Sequence, residues 1–430
     1  MLCKISRSCS RINSISLFKQ KRAMSTNSNT ESMILHDKVG QVAIITLNRP
    51  KALNALVPSM THDINHALES WKNSANPPLV FIMKGAGDKA FCAGGDVKAV
   101  WEDCNTIMDN IGLGTGESGR LSSDFFHDEY IMNYNLGTSI IPQISLWDGV
   151  VMGGGVGVSI FGEYRIATEK TLFAMPETAI GLFPDVGSSA WLPHIGDGMG
   201  EYLALTGFRL KARDLIALGI ATHYLDSNTL LKFEYELTTI LNEHSPSDIR
   251  GIIDLLLMEL MDESESLDMT SAFSNDEAYG RARISACFDK KNSIEEIFIC
   301  LNSLAQAGKP ADVEWANQTL KALSKCSPTS LKLTLAQIQR GRSLNLKECL
   351  EMEYRLAQGC MRGNDFKEGV RALLVDKDKN PHWNPADLIE VDDDMIESHF
   401  NSLQRELVLN NETTGLMGPS NRRIINIEIE

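Results

Sequence analysis

Residues 142–157 have the sequence PQISLWDGVVMGGGVG, and this stretch decides the fold class. Its apolar run at 142–147 predicts a buried strand, and Asp148-Gly149 predicts the turn that ends the strand. The glycines between Gly153 and Gly157 then predict a strand-to-helix turn, where the absence of side chains lets a ligand approach the backbone closely. N–H groups at such a turn can point at a ligand, and a helix N-terminus adds partial positive charge.

A second glycine cluster follows another buried strand. Residues 79–83, LVFIM, are uniformly apolar, and residues 91–96, FCAGGD, come shortly after them. Two strand-to-helix turns that face each other would supply two N–H donors to one oxyanion, which is the arrangement of an oxyanion hole. Two tight turns without a ligand would need the same glycines, so the clusters alone leave both interpretations open.

A weaker glycine pattern, from Gly85 to Ala90, matches the loose dinucleotide signature G-x-G-x-x-A. That signature must open a helix, and Gly94-Gly95 follows too soon for a long helix to start there. The chain also lacks the sequence signatures of P-loop, zincin and α/β-hydrolase mechanisms. A dinucleotide site is therefore disfavoured.

The order of elements predicts an α/β fold followed by a helical part. Short apolar strands alternate with helical segments up to about residue 225. Beyond that point glycine becomes sparse and helical periodicity dominates. The organisation that we predict is a core at 35–225, a helical C-terminal region at 226–403 and a poorly ordered tail at 404–430.

Composition excludes several classes of protein. The chain has 430 residues, a formal net charge of −15 and 43% hydrophobic residues, which suffices for packed cores and argues against disorder. Its apolar stretches are shorter than the roughly 18 residues that a membrane span needs. The acidic charge, without a basic stripe in the body of the chain, argues against nonspecific nucleic-acid binding. Nine cysteines without a C-x-x-C pair indicate a reducing compartment.

The first 30 residues differ from the rest of the chain. They contain six basic residues and no acidic residue, and they combine many serines with interspersed apolar side chains. This composition is typical of a mitochondrial transit segment, and an ordinary disordered tail is the alternative. The apolar core of a secretory signal is missing. We therefore predict that residues 1–30 are a mitochondrial transit segment.

Three acidic residues are the remaining candidates for chemistry. Glu177 follows the apolar run 172–174 and a proline, and Asp185 comes eight residues later among apolar neighbours. A carboxyl group in such surroundings could have a raised pKa and act as base, acid or nucleophile. The simpler alternatives are a helix-start or turn acid for Glu177, a helix N-cap for Asp185 and a solvated helix face for Glu129.

Several motifs together resemble the crotonase (enoyl-CoA hydratase/isomerase) superfamily. The residues that carry this resemblance are Asn48-Arg49-Pro50, Leu53-Asn54-Ala55, Phe91–Asp96, Gly153–Gly157 and Pro176-Glu177. More specifically, the chain is similar to the 3-hydroxyisobutyryl-CoA hydrolase family at Phe173–Gly187, Leu205–Leu210, Ser327–Lys332, Met352–Leu356 and Phe366–Ala372. The resemblance covers roughly residues 35–400.

The resemblance implies an α/β fold, namely a crotonase-like spiral of β-β-α turns with a helical C-terminal part. It also implies an acyl-CoA thioester substrate and no separate cofactor, because CoA is part of the substrate. By position, the N–H groups of Gly95 and Gly154 would form the oxyanion hole, and Glu177 would be the catalytic carboxylate. Asp185 and Glu129 match acids that border the acyl pocket in the hydrolase family.

The reaction that the resemblance implies is hydrolysis of 3-hydroxyisobutyryl-CoA, with 3-hydroxypropionyl-CoA as a second substrate, in mitochondrial valine degradation. Glu177 would act as nucleophile or as general base. Asp185 would hold the 3-hydroxyl group or position water. Ala93 and Lys51–Ala55 would lie near the nucleotide end of CoA. Members of the superfamily associate, so a homo-oligomer is compatible with the resemblance.

One position separates the hydrolase from the alternative hydratase or isomerase. Crotonase-type hydratases carry their first glutamate where this chain has Gly157, and hydration needs an acid and a base on either side of one water. The other alternative is a non-catalytic, mitochondrial ribosome-associated homologue. The presence of all four residues that the resemblance assigns to catalysis argues against this alternative; they are Gly95, Gly154, Glu177 and Asp185.

Overall fold

The computed structural model describes residues 32–105, 120–243, 248–264 and 280–409. The predicted transit segment lies outside these residues. The strands are β1 Ile34–Val39, β2 Val42–Leu47, β3 Val80–Gly85, β4 Ala90–Cys92, β5 Gln143–Trp147, β6 Val150–Met152, β7 Tyr164–Ala167, β8 Leu172–Ala174, β9 Leu210–Lys211 and β10 His223–Tyr224. The helices are α1 Pro58–Lys72, α2 Val97–Asn105, α3 Leu121–Gly137, α4 Gly154–Gly157, α5 Met199–Thr206, α6 Ala212–Ala217, α7 Leu230–Glu243, α8 Ile249–Glu263, α9 Arg281–Phe288, α10 Ile294–Ala307, α11 Pro310–Leu323, α12 Pro328–Gly341, α13 Leu346–Arg362, α14 Asp365–Val370 and α15 Asp393–Phe400.

The strands form two sheets. The larger sheet has the order β1-β2-β3-β5-β7-β10; β1 and β2 are antiparallel, and the other neighbours are parallel. The smaller sheet has the order β4-β6-β8-β9, in which the first three strands are parallel and β9 is antiparallel. Parallel neighbours joined through helices make this an α/β fold, as predicted.

The larger sheet is buried on both faces. Side chains alternate along each strand, so Val42 and Ile44 face α7 and α8, whereas Ala43 and Ile45 face the main core. The apolar sides of α7 and α8, with Phe233 among their buried residues, cover the first face. This two-sided burial explains why the strand at 42–47 is almost continuously apolar.

The smaller sheet positions the site. The glycines at 94–95 follow β4, those at 153–154 follow β6, and Glu177 follows β8. Because β4, β6 and β8 are parallel neighbours, their carboxyl ends meet at one edge. The sequence pattern places the first two glycine clusters after the long apolar strands; in the structure each cluster follows an additional three-residue strand, β4 or β6, which is too short to give a periodic signal.

Helices fill the chain beyond β10. Helix α13 begins at a reciprocal cap, in which the Asn345 side chain accepts from Glu348 N and the Glu348 side chain accepts from Asn345 N. Its apolar side packs into the main core together with α12. Within the described parts of the chain, every helix is too short or too polar to cross a membrane.

The prediction of a poorly ordered tail from residue 404 is wrong for residues 404–409. Leu407 and Leu409 are buried in the main core. Arg405 forms an ion pair with Asp124 of α3 at 2.9 Å. The burial of Leu407 and Leu409 depends on contacts with distant parts of the chain, which the local sequence does not show. Residues 410–430 lie outside the described residues.

Candidate active site

Two backbone N–H groups, those of Gly95 and Gly154, lie together at the edge of the smaller sheet. A Cβ atom placed on Gly154 would stand 3.2 Å from Gly95 N. Gly154 opens α4, so no turn of helix precedes it to supply an acceptor. Gly95 lies opposite Leu56 in a β-bridge, but the Gly95 N–H group takes no part in its hydrogen bonds. Leu56 N donates to Gly94 O, and Asp96 N donates to Leu56 O, each at 2.8 Å. Among the described residues neither N–H has a protein acceptor, as an oxyanion hole requires.

Glu177 lies beside these donors. It opens a single helical turn, Glu177–Ile180, directly after β8 and Pro176. The Glu177 Oε1 atom is 3.0 Å from the place that a Cβ on Gly153 would take, and Gly153 has a φ of 49°, which favours glycine. Glu177 Oε2 is buried and makes no hydrogen bond. The carboxyl group is thus buried against the glycine turn with one oxygen uncommitted.

The surroundings of Glu177 favour its protonated form. Burial raises the pKa of the Glu177 carboxyl well above its usual range, and the nearby Asp185 and Glu129 carboxyl groups raise it further. Such a group is a stronger base when it ionises than a carboxylate in water. Glu177 does start a helical turn, as the simpler alternative expects, but that alternative does not explain why its carboxyl group is buried beside two other acids.

Glu129 is buried on α3 rather than on a solvated helix face. Only 2% of the residue is exposed, and its Oε1 atom has no hydrogen-bond partner. That oxygen faces Gly154 so closely that any side chain at 154 would collide with it. Burial, followed by the charge of Asp185, raises the pKa of Glu129 well above its usual range. The structure therefore brings Glu129 to Gly154, one of the two glycines predicted to form an oxyanion hole.

Asp185 joins the same cluster through Tyr130. The Tyr130 hydroxyl donates to Asp185 Oδ2 at 2.7 Å, and both side chains are buried. Burial raises the pKa of Asp185 to about 6, although the hydrogen bond from Tyr130 opposes that rise. The Asp185 backbone carbonyl accepts from Ser188 N, but its carboxylate caps no helix. The N-cap alternative for Asp185 is therefore wrong.

The loop that carries Asp185 is held by a buried carboxyl group on α13. Glu353 Oε2 accepts from Gly187 N at 2.6 Å, and Glu353 Oε1 accepts from Ser189 N at 2.9 Å. Gln337 of α12 adds a bond from its Nε2 to Pro184 O at 2.6 Å. Burial raises the pKa of Glu353 to about 8 despite these donors. The C-terminal helices thus fix the position of Asp185.

Gly157, at the end of α4, has no space for a side chain. A Cβ there would stand 2.5 Å from Val186 Cβ and 2.8 Å from Asn133 Nδ2. Real Cβ atoms do not approach other atoms so closely, so a glutamate at this position would require repacking. The packing around Gly157 therefore leaves no space for the glutamate that the hydratase alternative needs there.

Ala93 is half-buried and lies next to the segment predicted to contact CoA. Its N–H donates to Leu53 O at 3.0 Å. Arg49 braces this region through an ion pair with Asp96 at 3.0 Å and a bond to Ala55 O at 2.6 Å. The structure thus brings Ala93 and residues 51–55 together beside Gly95.

Sequence reasoning missed three residues of the site. Asn133 lies four residues after Glu129 and three after Tyr130 on α3, and this helical spacing of polar side chains was an available signal. Glu353 stands within an otherwise apolar helix face, which also marks a buried acid. No group of three His, Cys, Asp or Glu that could hold a metal ion occurs within 32–105, 120–243, 248–264 or 280–409.

Comparisons with known proteins identify the family of this chain. A family model described as enoyl-CoA hydratase/isomerase matches residues 42–400. The mitochondrial 3-hydroxyisobutyryl-CoA hydrolase of Rattus norvegicus is 44% identical over 399 residues, which cover 92% of this chain and 95% of the relative. The Homo sapiens protein of the same name is 43% identical over 380 residues, which cover 88% of this chain and 91% of the relative.

Solved structures share the fold. A carnitinyl-CoA dehydratase from Mycobacterium thermoresistibile superposes with a TM-score of 0.74 at 30% identity, over 89% of this chain and 100% of the other. An enoyl-CoA hydratase from Rhodobacter sphaeroides gives 0.73 at 29% identity, over 88% and 100%. The predicted crotonase-like fold is confirmed, and the chain belongs to the enoyl-CoA hydratase/isomerase (crotonase) family, where its curated relatives are 3-hydroxyisobutyryl-CoA hydrolases.

Proposed function

We propose that this protein hydrolyses the thioester of 3-hydroxyisobutyryl-CoA to the free hydroxy acid and CoA. The observation that carries the proposal is the position of Glu177, whose carboxyl group has one uncommitted oxygen and lies at the glycine turn beside the N–H groups of Gly95 and Gly154. The identity of 42–45% to curated hydrolases over most of the chain supports the same reaction.

The two N–H groups act on the thioester carbonyl. Its oxygen accepts from Gly95 N and Gly154 N, and these bonds strengthen as negative charge develops on the oxygen in the tetrahedral transition state. The donors are preorganised by the turns after β4 and β6, so they need no rearrangement during the reaction. Loss of one such donor typically costs about 10²–10³ in rate.

Glu177 supplies the attack on the acyl carbon in one of two ways. As a nucleophile, one carboxylate oxygen bonds to the acyl carbon, the carbon–sulfur bond breaks, CoA leaves as a thiolate that takes a proton, and water then hydrolyses the mixed anhydride. As a general base, Glu177 takes a proton from the water that attacks the acyl carbon directly. Both routes require the ionised carboxylate, and burial, which raises the pKa of Glu177, makes that carboxylate more basic than one in water.

A single turnover in ¹⁸O-labelled water separates these two routes. General-base attack places one labelled oxygen in every product molecule. Nucleophilic attack, followed by water attack on the Glu177 carbonyl of the anhydride, leaves the first product unlabelled and the label on Glu177. Mass spectrometry of the product acid and of the peptide that contains Glu177 measures both outcomes.

Asp185 and Glu129 border the acyl group in this proposal. Both carboxyl groups are buried, and Asp185 is oriented by Tyr130. An acceptor at this place suits the 3-hydroxyl group of the substrate, and a site built to bind a hydroxyl can reject an analogue without it by about 10⁴–10⁵. 3-Hydroxypropionyl-CoA has the same hydroxyl and is a second expected substrate. Ala93 and residues 51–55 are the proposed contacts for CoA.

We also propose that the protein acts in the mitochondrial matrix, in valine degradation. The mitochondrial names of its relatives and the basic, acid-free composition of residues 1–30 support this location. No separate cofactor is needed for hydrolysis, since water is the second substrate. A homo-oligomer remains a prediction.

The first experiment measures the release of free thiol from three thioesters: 3-hydroxyisobutyryl-CoA, isobutyryl-CoA and crotonyl-CoA. A chromogenic disulfide reagent detects the thiol. The expected result is rapid release from the hydroxylated ester alone. Loss of crotonyl-CoA absorbance without thiol release would identify a hydratase instead. Folded protein that turns over none of the three, and that sediments with a large assembly, would favour the non-catalytic alternative.

A further inference from the structure

Asn133 carries a buried amide without a hydrogen-bond partner. The residue is fully buried, and neither its Nδ2 nor its Oδ1 atom makes a hydrogen bond. Another fully buried asparagine, Asn54, shows the usual pattern: its Oδ1 accepts from Arg49 N, and its Nδ2 donates to two carbonyl oxygens. A buried amide that lacks partners destabilises the fold. Asn133 therefore invites a functional explanation.

The position of Asn133 links it to the acyl site. It lies one helical turn after Glu129 on α3, so the two side chains share a face. Glu129 meets α4 at Gly154, and Asn133 meets α4 at Gly157, where Nδ2 would be 2.8 Å from a Cβ. Val186, the neighbour of Asp185, fills the rest of the space at Gly157. The amide thus lies between the Asp185 loop and the glycine helix.

Among the polar groups of this cluster, Asn133 is a donor that does not depend on protonation. An ionised Asp185 only accepts, Glu129 and Glu177 can donate only while they are protonated, and the Tyr130 hydroxyl is already committed to Asp185. A bound hydroxyl group needs an acceptor for its hydrogen and a donor for its oxygen. The Asn133 carboxamide offers an uncommitted neutral donor in this cluster.

We propose that Asn133 is a specificity-determining residue, whose Nδ2 group donates to the 3-hydroxyl oxygen of the acyl group while Asp185 accepts the hydroxyl hydrogen. The inference rests on the proposed hydrolase function and deepens it, because it names the second half of hydroxyl recognition. Substrate binding then provides the partner that Asn133 lacks in the free protein. The residue does not act on the thioester itself.

The test replaces Asn133 by leucine, which has a similar size and no polar group. We expect kcat/KM for 3-hydroxyisobutyryl-CoA to fall by about 10- to 100-fold, the loss of one buried hydrogen bond. The inhibition constant of isobutyryl-CoA, which lacks the hydroxyl, should stay within about twofold. The melting temperature should not fall, because an apolar group replaces an unpartnered amide. Asn133→Ser keeps a hydrogen-bond donor, so its kcat/KM for 3-hydroxyisobutyryl-CoA should lie between that of the wild type and that of Asn133→Leu.

Asn135→Leu is the matched control, since the Asn135 amide lies on the same helix but donates to Asn65 Oδ1 at 2.9 Å. Its kinetics should equal those of the wild type. The inference would be overturned if Asn133→Leu lowered kcat/KM for 3-hydroxyisobutyryl-CoA and raised the inhibition constant of isobutyryl-CoA by the same factor. Unchanged kcat/KM for 3-hydroxyisobutyryl-CoA would overturn it as well. If the leucine variant does not fold, Asn133→Ser decides by the same comparison. Absence of thiol release by the wild type would overturn the proposed function instead, and equilibrium binding of the two esters would then decide the role of Asn133.

Discussion

The hydroxyl of Tyr130 donates to Asp185 Oδ2 at 2.7 Å, and this bond joins helix α3 to the loop that follows Pro184. Both partners are buried, and the bond lowers the pKa of Asp185 against the opposing effect of burial. The bond therefore increases the ionised fraction of the Asp185 carboxyl group at a given pH. The pH dependence of the reaction should report on it.

Tyr130→Phe should move the acid limb of the kcat/KM profile to higher pH. Without the phenol donor the pKa of Asp185 rises from its present value of about 6, so less carboxylate is present at a given pH. Activity should be about three- to tenfold below wild type at pH 5.5 and should approach wild type near pH 8. Tyr224→Phe is the control, because Tyr224 donates to Asp226 outside the site. A profile that falls uniformly at all pH values would contradict this prediction.

Glu177→Gln should abolish turnover and leave the fold intact. The amide can neither attack the acyl carbon nor accept a proton, so kcat should fall by at least about 10²-fold, the lower bound for a positioned base. The melting temperature should not fall, because a neutral amide replaces a carboxyl group that is buried without a partner on Oε2. Glu259→Gln, on the exposed side of α8, should be fully active. Thiol release by the Glu177→Gln enzyme at the wild-type rate would remove Glu177 from the mechanism.

Glu353→Gln should destabilise the protein in a pH-dependent way. Because Gly187 N loses its acceptor, the free energy of unfolding should fall by about 1–3 kcal/mol at pH 5. Burial raises the pKa of Glu353 from 4.5 to about 8, so its contribution to stability is full below 4.5 and is lost as the pH rises through 8. The deficit of the variant should therefore narrow by pH 8.5. Urea unfolding at both pH values measures this difference in the free energy of unfolding, with Glu351→Gln on the same helix as the control. A difference that widens as the pH rises would show that the ionised form of Glu353 stabilises the fold.

Gly157→Ala should destabilise the protein, and Gly157→Glu should not produce a hydratase. A methyl group at 157 would press against Val186 and Asn133, which should cost about 1–3 kcal/mol of unfolding free energy. Gly363→Ala is the control, since the nearest atom to its Cβ would be 3.4 Å away. Calorimetry and a crotonyl-CoA absorbance assay measure the two effects. Hydration by a stable Gly157→Glu variant would show that sterics do not prevent the second glutamate.

The amino-acid sequence alone was enough to predict the α/β class, the crotonase-like family and the glycines and acidic residues of the candidate site, but not Tyr130, Asn133 or Glu353. These predictions depend on local features: glycines that permit close backbone approach, a proline before Glu177, and an acid among apolar neighbours. Each of these features is encoded within a few residues of chain. These predictions therefore need no information about contacts between distant parts of the chain.

Other properties of the site came only from packing between distant parts of the chain. Glu353 holds a loop that lies 166 residues away at Gly187, and no local pattern links the two. The sequence leaves two alternatives for Glu129, a solvated helix face or an acid that borders a pocket. The packing of α3 decides between them, because it buries Glu129 against Gly154. Burial, not residue type, raises the pKa of these carboxyl groups, and burial is a property of the assembled fold.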